Sequence, residues 1–284
     1  MRWAWVIGIF VMLCGPAQAQ LRATDGLAAL EAGDAQAARA IWQPLAERGD
    51  VLAQYNLGVL NLREGGDALG WFTLAAEAGY LPAQTAAAGL LADAQDWDEA
   101  ARWYAAAAGQ GDAASAHSLG LLHDRGLLGE AARPQAERWY RAAAEAGHVP
   151  AQFALGALLT ERGAPEAATW FQRAAEAGHL EAQFNHARAL TESDPAAARD
   201  WYARAGAAGF GPASYNLALM QARGQGGAES FQAALSWAVV AQDQGFVQAA
   251  TLIAALSEVM TPEAERMARD AAAACLTDAS ACPR

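Results

Sequence analysis

The sequence predicts an all-α protein, an α-solenoid of stacked helix-turn-helix repeats, and three observations carry that expectation. Alanine, the residue with the best intrinsic helix propensity, dominates a chain of 284 residues that is 54% apolar. Glycines recur at Gly49, Gly79, Gly111, Gly147, Gly178, Gly209 and Gly245, at intervals of 30, 32, 36, 31, 31 and 36 residues. Eight residues before each of the last six stands a tryptophan: Trp71, Trp103, Trp139, Trp170, Trp201 and Trp237. Units of this length bury their apolar faces only by stacking on one another.

The amino terminus reads as an export signal. Arg2 precedes an apolar run from Trp3 to Cys14, Gly15-Pro16 breaks it, and Ala17-Gln18-Ala19 offers the small-x-small pattern of a cleavage site. Residues 1–19 are therefore expected to be a signal peptide, cleaved after Ala19, and the mature protein to be periplasmic or secreted. The twelve apolar residues are too few for a spanning helix, which needs about 20. Residues 20–260 form the expected repeat solenoid, and residues 261–284 a C-terminal helix with a tail.

Within each unit the second helix, B, ends at the repeat glycine. Trp139, Ala142, Ala143 and Ala146 fall at i, i+3, i+4 and i+7, which assigns them to one apolar face. The ring after the tryptophan is usually another aromatic: Phe72, Tyr104, Tyr140, Phe171, Tyr202. The six tryptophans are read as the structural core of the repeats. The first helix of the next unit, A, follows at once, in three cases through Pro82, Pro150 or Pro212, which a first helical turn tolerates. Nine residues after each glycine stands a second small residue: Gly58, Ala88, Gly120, Gly156, Ala187, Ala218, Ala254. All the length variation lies between that residue and the next tryptophan. The A–B loops are therefore Glu64-Gly65-Gly66, Arg125 to Pro134 and Arg223 to Gly227, with the expected turn residues.

Charge and cysteines narrow the function classes. The formal net charge is −12 and every basic residue is arginine. Such a surface repels phosphate backbones and anionic headgroups, which argues against nucleic acid or membrane lipid as partner. Once the signal and its Cys14 are removed, Cys275 and Cys282 remain, an even pair that an oxidising compartment would join.

These motifs resemble the Sel1-like repeat family, a relative of the tetratricopeptide repeats. Ala53-Gln-Tyr-Asn-Leu-Gly58 is similar to the family's first half, and Ala136-Glu-Arg-Trp-Tyr-Arg-Ala-Ala-Ala-Glu-Ala-Gly147 and Ala167-Ala-Thr-Trp-Phe-Gln-Arg-Ala-Ala-Glu-Ala-Gly178 to its second. The resemblance spans about residues 26–260. Where the family often has tyrosine, Asn61, His123 and Leu159 stand here. The resemblance implies a right-handed α-solenoid of about seven repeats. It also implies a scaffold or adaptor presenting a concave surface to a protein or peptide, with envelope signalling or polysaccharide export among the settings. By analogy with the tetratricopeptide fold, the residue two before the Leu-Gly glycine faces the groove, which picks out Asn56, Ser118, Asn185 and Asn216. Glu181 and Arg188, on the same helix face as Asn185, join them either as ligand contacts or as a pair.

Nothing in the sequence builds a catalytic centre. His117, His123, His148, His179 and His186 form no HxxxH or HExxH pair, so no metal site is expected. His148 and His179 share one repeat position, just after the glycine. No cofactor and no enzymatic activity are expected. The alternative reading is a hydrolase or binding protein for cell-wall or β-lactam-like compounds, as some cysteine-rich members of the family suggest.

Overall fold

The computed structural model describes residues 23–129 and 133–283, so the expected signal peptide, residues 1–19, lies outside the described residues. These residues form sixteen α-helices and one 3₁₀ turn, with no strand among them. The chain divides into two compact units, residues 1–96 and 97–284. The first holds α1 (Ala23–Glu31), α2 (Ala35–Ala46), α3 (Val51–Glu64), α4 (Leu69–Glu77) and α5 (Leu81–Asp93). The second begins with α6 (Trp97–Gly109), α7 (Ala113–Asp124), α8 (Arg133–Glu145), α9 (Val149–Glu161) and α10 (Ala167–Glu176). It continues with α11 (Leu180–Leu190), α12 (Pro195–Ala207), α13 (Gly211–Ala222), α14 (Phe231–Asp243), α15 (Ala249–Val259) and α16 (Pro262–Thr277).

Odd-numbered helices up to α15 are A helices and even-numbered ones up to α14 are B helices. Within each unit consecutive helices pack on one another, the arrangement of an α-solenoid. At the end the pattern changes, because α16 packs on α14 rather than continuing the stack.

The glycine junction is a Schellman cap. All seven repeat glycines have φ between +84° and +100°, the left-handed conformation that other residues enter only with strain. The N–H of the following residue reaches back to the fourth residue before the glycine, as in His148 N–H to Ala143 O at 3.0 Å and His179 N–H to Ala174 O at 3.0 Å. That same following residue caps the next A helix: Asp50 and Asp112 accept from the backbone of Ala53 and Ser115 at 2.9 and 2.7 Å. One turn thus ends a helix and starts another, which fixes the unit's register.

A buried glutamine tightens four of the seven junctions, a feature the sequence reading did not single out. Gln54, Gln84, Gln152 and Gln183 donate Nε2 to Ala46 O, Ala76 O, Ala144 O and Ala175 O, at 3.1 to 3.3 Å. Each carbonyl also takes the N–H of its repeat glycine, so it is satisfied twice. Between α12 and α13 the glutamine position holds Ser214, too short to reach. There Gln244, the C-cap of α14, donates to Gly206 O at 2.7 Å while its own Oε1 accepts from Ser214 Oγ at 2.8 Å. The missing donor is replaced from a different helix.

The core corrects the aromatic assignment. Of the six tryptophans, Trp103, Trp170 and Trp237 are buried, at 7%, 6% and 1% exposure, whereas Trp71, Trp139 and Trp201 are only half-buried. The ring sealed inside is more often the next one: Phe72, Tyr140, Phe171 and Tyr202, and Trp42 in the first unit. The apolar face of α8 shifts accordingly. It is Ala136, Tyr140, Ala143 and Ala144 that are buried, while Ala142 and Ala146 are exposed.

The two aromatics have different jobs. The second lies between the A and B helices of its own repeat, against the Leu-Gly glycine. A Cβ at Gly58 would stand 2.6 Å from the Phe72 ring, and one at Gly120 2.5 Å from Tyr140. The tryptophan instead reaches back to the preceding B helix. Trp71 packs in the cluster that holds Trp42 and Ala46, Trp201 in that of Ala174 and Ala175, and Trp237 lies against Gly206. Four of these indoles carry an arginine over their face: Arg102, Arg138, Arg173 and Arg204, at 4.6 to 5.4 Å.

Trp237 is covered differently, by the chain's tail. Its Nε1 donates to Pro283 O at 2.9 Å, and the Cys275–Cys282 disulfide holds that tail against α16. Reducing the disulfide is expected to lower stability by about 2 kcal/mol, the entropy of so short a loop. The check is a pair of thermal melts with and without reductant, on wild type and on Cys275→Ser/Cys282→Ser, which should no longer respond.

Candidate functional site

The predicted groove residues lie on A helices, partly exposed: Asn56 on α3, Ser118 on α7, Asn185 on α11, Asn216 on α13. Asn56 belongs to the first compact unit and the others to the second. Two of the asparagines are half engaged. Asn185 donates Nδ2 to Glu181 O, one turn back, at 2.9 Å, and Asn216 donates Nδ2 to the buried Tyr202 hydroxyl at 3.3 Å. Both keep a side-chain carbonyl free to accept from a visiting backbone N–H.

Glu181 and Arg188 do not pair. Glu181 Oε2 lies 3.3 Å from His179 Nδ1. Since that nitrogen already accepts the Ala182 N–H at 3.3 Å, the contact is no ion pair while the ring is neutral. Arg188 turns instead into open space.

Two adjacent clefts meet at Arg188. One, of about 350 Å³, lies between the α9–α10 loop and α11 and is lined by Thr160, Pro165, Phe171, Asn185 and Arg188. The other, of about 450 Å³, lies at the C-terminal ends of α11 and α13 and is lined by Arg188, Glu192, Tyr202, Asn216 and Arg223. Asn185, Arg188 and Asn216 are thus brought together, while Ser118 and Glu181 line neither cleft. Arg223 was not among the predicted residues. Its signal was available: it opens an A–B loop and has no carboxylate three or four residues away.

His117, His148 and His179 are members of an aromatic column rather than a reactive set. The A-helix ring three before the small residue packs against the ring just after the next repeat glycine, in stacked, tilted or edge-on geometry. Tyr55 meets Tyr80, His117 meets His148, Phe153 meets His179, Phe184 meets Phe210 and Tyr215 meets Phe246, with centroids 4.5 to 5.6 Å apart. Phenylalanine and tyrosine hold the same positions elsewhere, so the imidazoles serve here as flat packing groups.

Burial, and after it the adjacent His148, push the His117 imidazole down to about 4, and burial lowers His148 too. A folded-state value below the unfolded one of about 6.5 means that the unfolded chain takes up protons first as pH falls. The stability these rings contribute is complete above about pH 6.5 and is lost as pH drops toward 4, where His117 itself protonates. His117→Phe, the residue other units use, should flatten that loss, and melting temperatures across this range will show it. Equal acid sensitivity in wild type and variant would refute the assignment.

Fold and repeat chemistry together define a class, the α-solenoids built of Sel1-like repeats. A protective antigen of uropathogenic Escherichia coli strains, solved as an SLR fold, superposes with a TM-score of 0.71 at 25% identity, covering 86% of this chain and 57% of that one. A Sel1 repeat protein from Oxalobacter formigenes superposes with a TM-score of 0.57 at 25% identity, covering 77% of this chain and 96% of that one. This chain therefore spans little more than half of the Escherichia coli antigen. No protein-family model and no curated protein matches the chain. The structural likeness supports the Sel1-like family that the motifs suggested. Among the described residues no helix is long and apolar enough to cross a membrane.

Proposed function

We propose that this chain is a protein–protein interaction scaffold of the cell envelope, which holds an extended segment of a partner protein along its A helices. One observation carries the reading: the two clefts that share Arg188 present unfilled asparagine carbonyls and a free guanidinium in open space. The regular residues are consumed by the core, whereas these are not. Export rests on the sequence of residues 1–19, and the Cys275–Cys282 bond fits an oxidising compartment.

The test is affinity purification from envelope extract, with wild type and with Asn185→Ala/Asn216→Ala as baits, followed by sequencing of the mature amino terminus. A specific partner retained by wild type and lost by the variant, with Gln20 as first residue, is the expected result. Equal recovery by both baits would overturn the placement of the site.

A further inference from the structure

We infer that the cleft at the C-terminal ends of α11 and α13 takes an acidic segment of the partner, its carboxylates held between Arg188 and Arg223; this rests on the scaffold reading above. The inference starts from how the arginines are used. In the second unit Arg102, Arg138, Arg173 and Arg204 lie over tryptophan faces, Arg199 donates to Ala228 O, and a further group is spent on carboxylates. Arg141 bonds Glu137 and Glu166 at 3.1 and 2.9 Å, Arg133 bonds Glu161, and Arg162 bonds Glu137. On α16, Arg269 bonds Glu265 at 2.7 Å. Nine of the thirteen arginines described in this unit are engaged in one of these ways. Arg188 and Arg223 are engaged in none of them, and they line one cleft.

Their positions explain why they can stay unpaired. Arg188 lies in the last turn of α11, and Arg223 is the C-cap residue of α13, where the unsatisfied helix carbonyls leave partial negative charge that favours a cation. Neither guanidinium needs a partner from its own chain, so both keep their donors for an incoming one. Glu192, on the same rim, makes no ion pair with either and leaves the charged groups of the cleft at a net +1.

The geometry also limits what the anion can be. Guanidinium forks match carboxylates in planar, two-bond contacts. The asparagine carbonyls beside them accept N–H groups, which a peptide backbone supplies and a phosphodiester chain does not. A long polyanion would also meet the remaining surface of a chain at −12, whereas a short acidic peptide carries its charge only where the cleft is positive.

A random decapeptide display library, panned on the full chain and on Arg188→Ala/Arg223→Ala, tests this. Both side chains are exposed, and a thermal melt confirms that the variant folds. The expected result is enrichment of Glu- and Asp-rich sequences by wild type and none by the variant. The winning peptides should lose at least about fivefold in affinity for each arginine removed, and should weaken as salt rises. Arg266→Ala, distant in sequence on α16, should leave them unchanged. Enrichment of neutral sequences, or of acidic ones by both proteins alike, overturns the acidic assignment and leaves a peptide-binding scaffold standing. No enrichment at all overturns both readings, and tighter binding of a labelled single-stranded oligonucleotide than of any peptide overturns the choice of partner.

Discussion

Tyr140→Ala is expected to destabilise the protein by about 3–5 kcal/mol, and Trp139→Ala, one residue earlier, by only about 1–2. The tryptophan is larger and dominates the repeat pattern, so the order runs against residue size. It follows from placement. Tyr140 is 1% exposed, wedged between α7 and α8 against Gly120, and deleting it opens a cavity that the small residues of its own helix face, Ala136, Ala143 and Ala144, cannot refill. Trp139 keeps part of its ring in solvent, with Arg138 over it at 5.4 Å. Chemical denaturation of the two variants settles the order. Equal losses would mean that the two rings share one core position, contrary to the division of labour described above.

The second large effect is steric. Gly58→Val should cost about 3 kcal/mol or more, because a Cβ there already stands 2.6 Å from Phe72 before the valine methyls are added. The position is helical, so backbone strain plays no part and relief must come from the ring. Phe72→Ala is destabilising alone, but in the double variant it makes room for the valine and should return part of the loss. A double-mutant cycle measures this coupling. Purely additive losses would show that Gly58 and Phe72 do not meet.

Much of the fold was legible because the repeat is redundant. Seven glycines in one register announced seven helix ends, and all seven adopt the left-handed turn. Loop positions followed from where the length varies, and the tail's disulfide followed from the cysteine pair. The face of the B helix was misjudged by one residue for a physical reason. Periodicity locates a stripe of small and aromatic residues, but adjacent positions such as Trp139 and Tyr140 lie 100° apart and both read as apolar. The close approach of Gly120 to Tyr140 decides between them, and that contact is not local in sequence.

The candidate site was legible only in part. Asn185 and Asn216 came from a positional analogy and Arg188 from the helix face it shares with Asn185, and the clefts join them. Arg223 escaped because it lies in a loop of variable length, where no analogy reaches. Of the two readings left open for Glu181 and Arg188, the pair is absent, and Glu181 lies beside His179, the cap of the same helix. The buried glutamines escaped because a polar residue on an A helix reads as exposed until its carbonyl partner, eight residues earlier, is brought underneath it.

The central claim is that regular positions build the stack and irregular ones on the A helices bind. Amide hydrogen exchange, measured on the full chain with and without a peptide selected from the library, tests it most directly. The account predicts new protection confined to residues 185–192 and 216–225. Protection on the B helices α8, α10 and α12 instead, around the arginine-covered tryptophans, would contradict it.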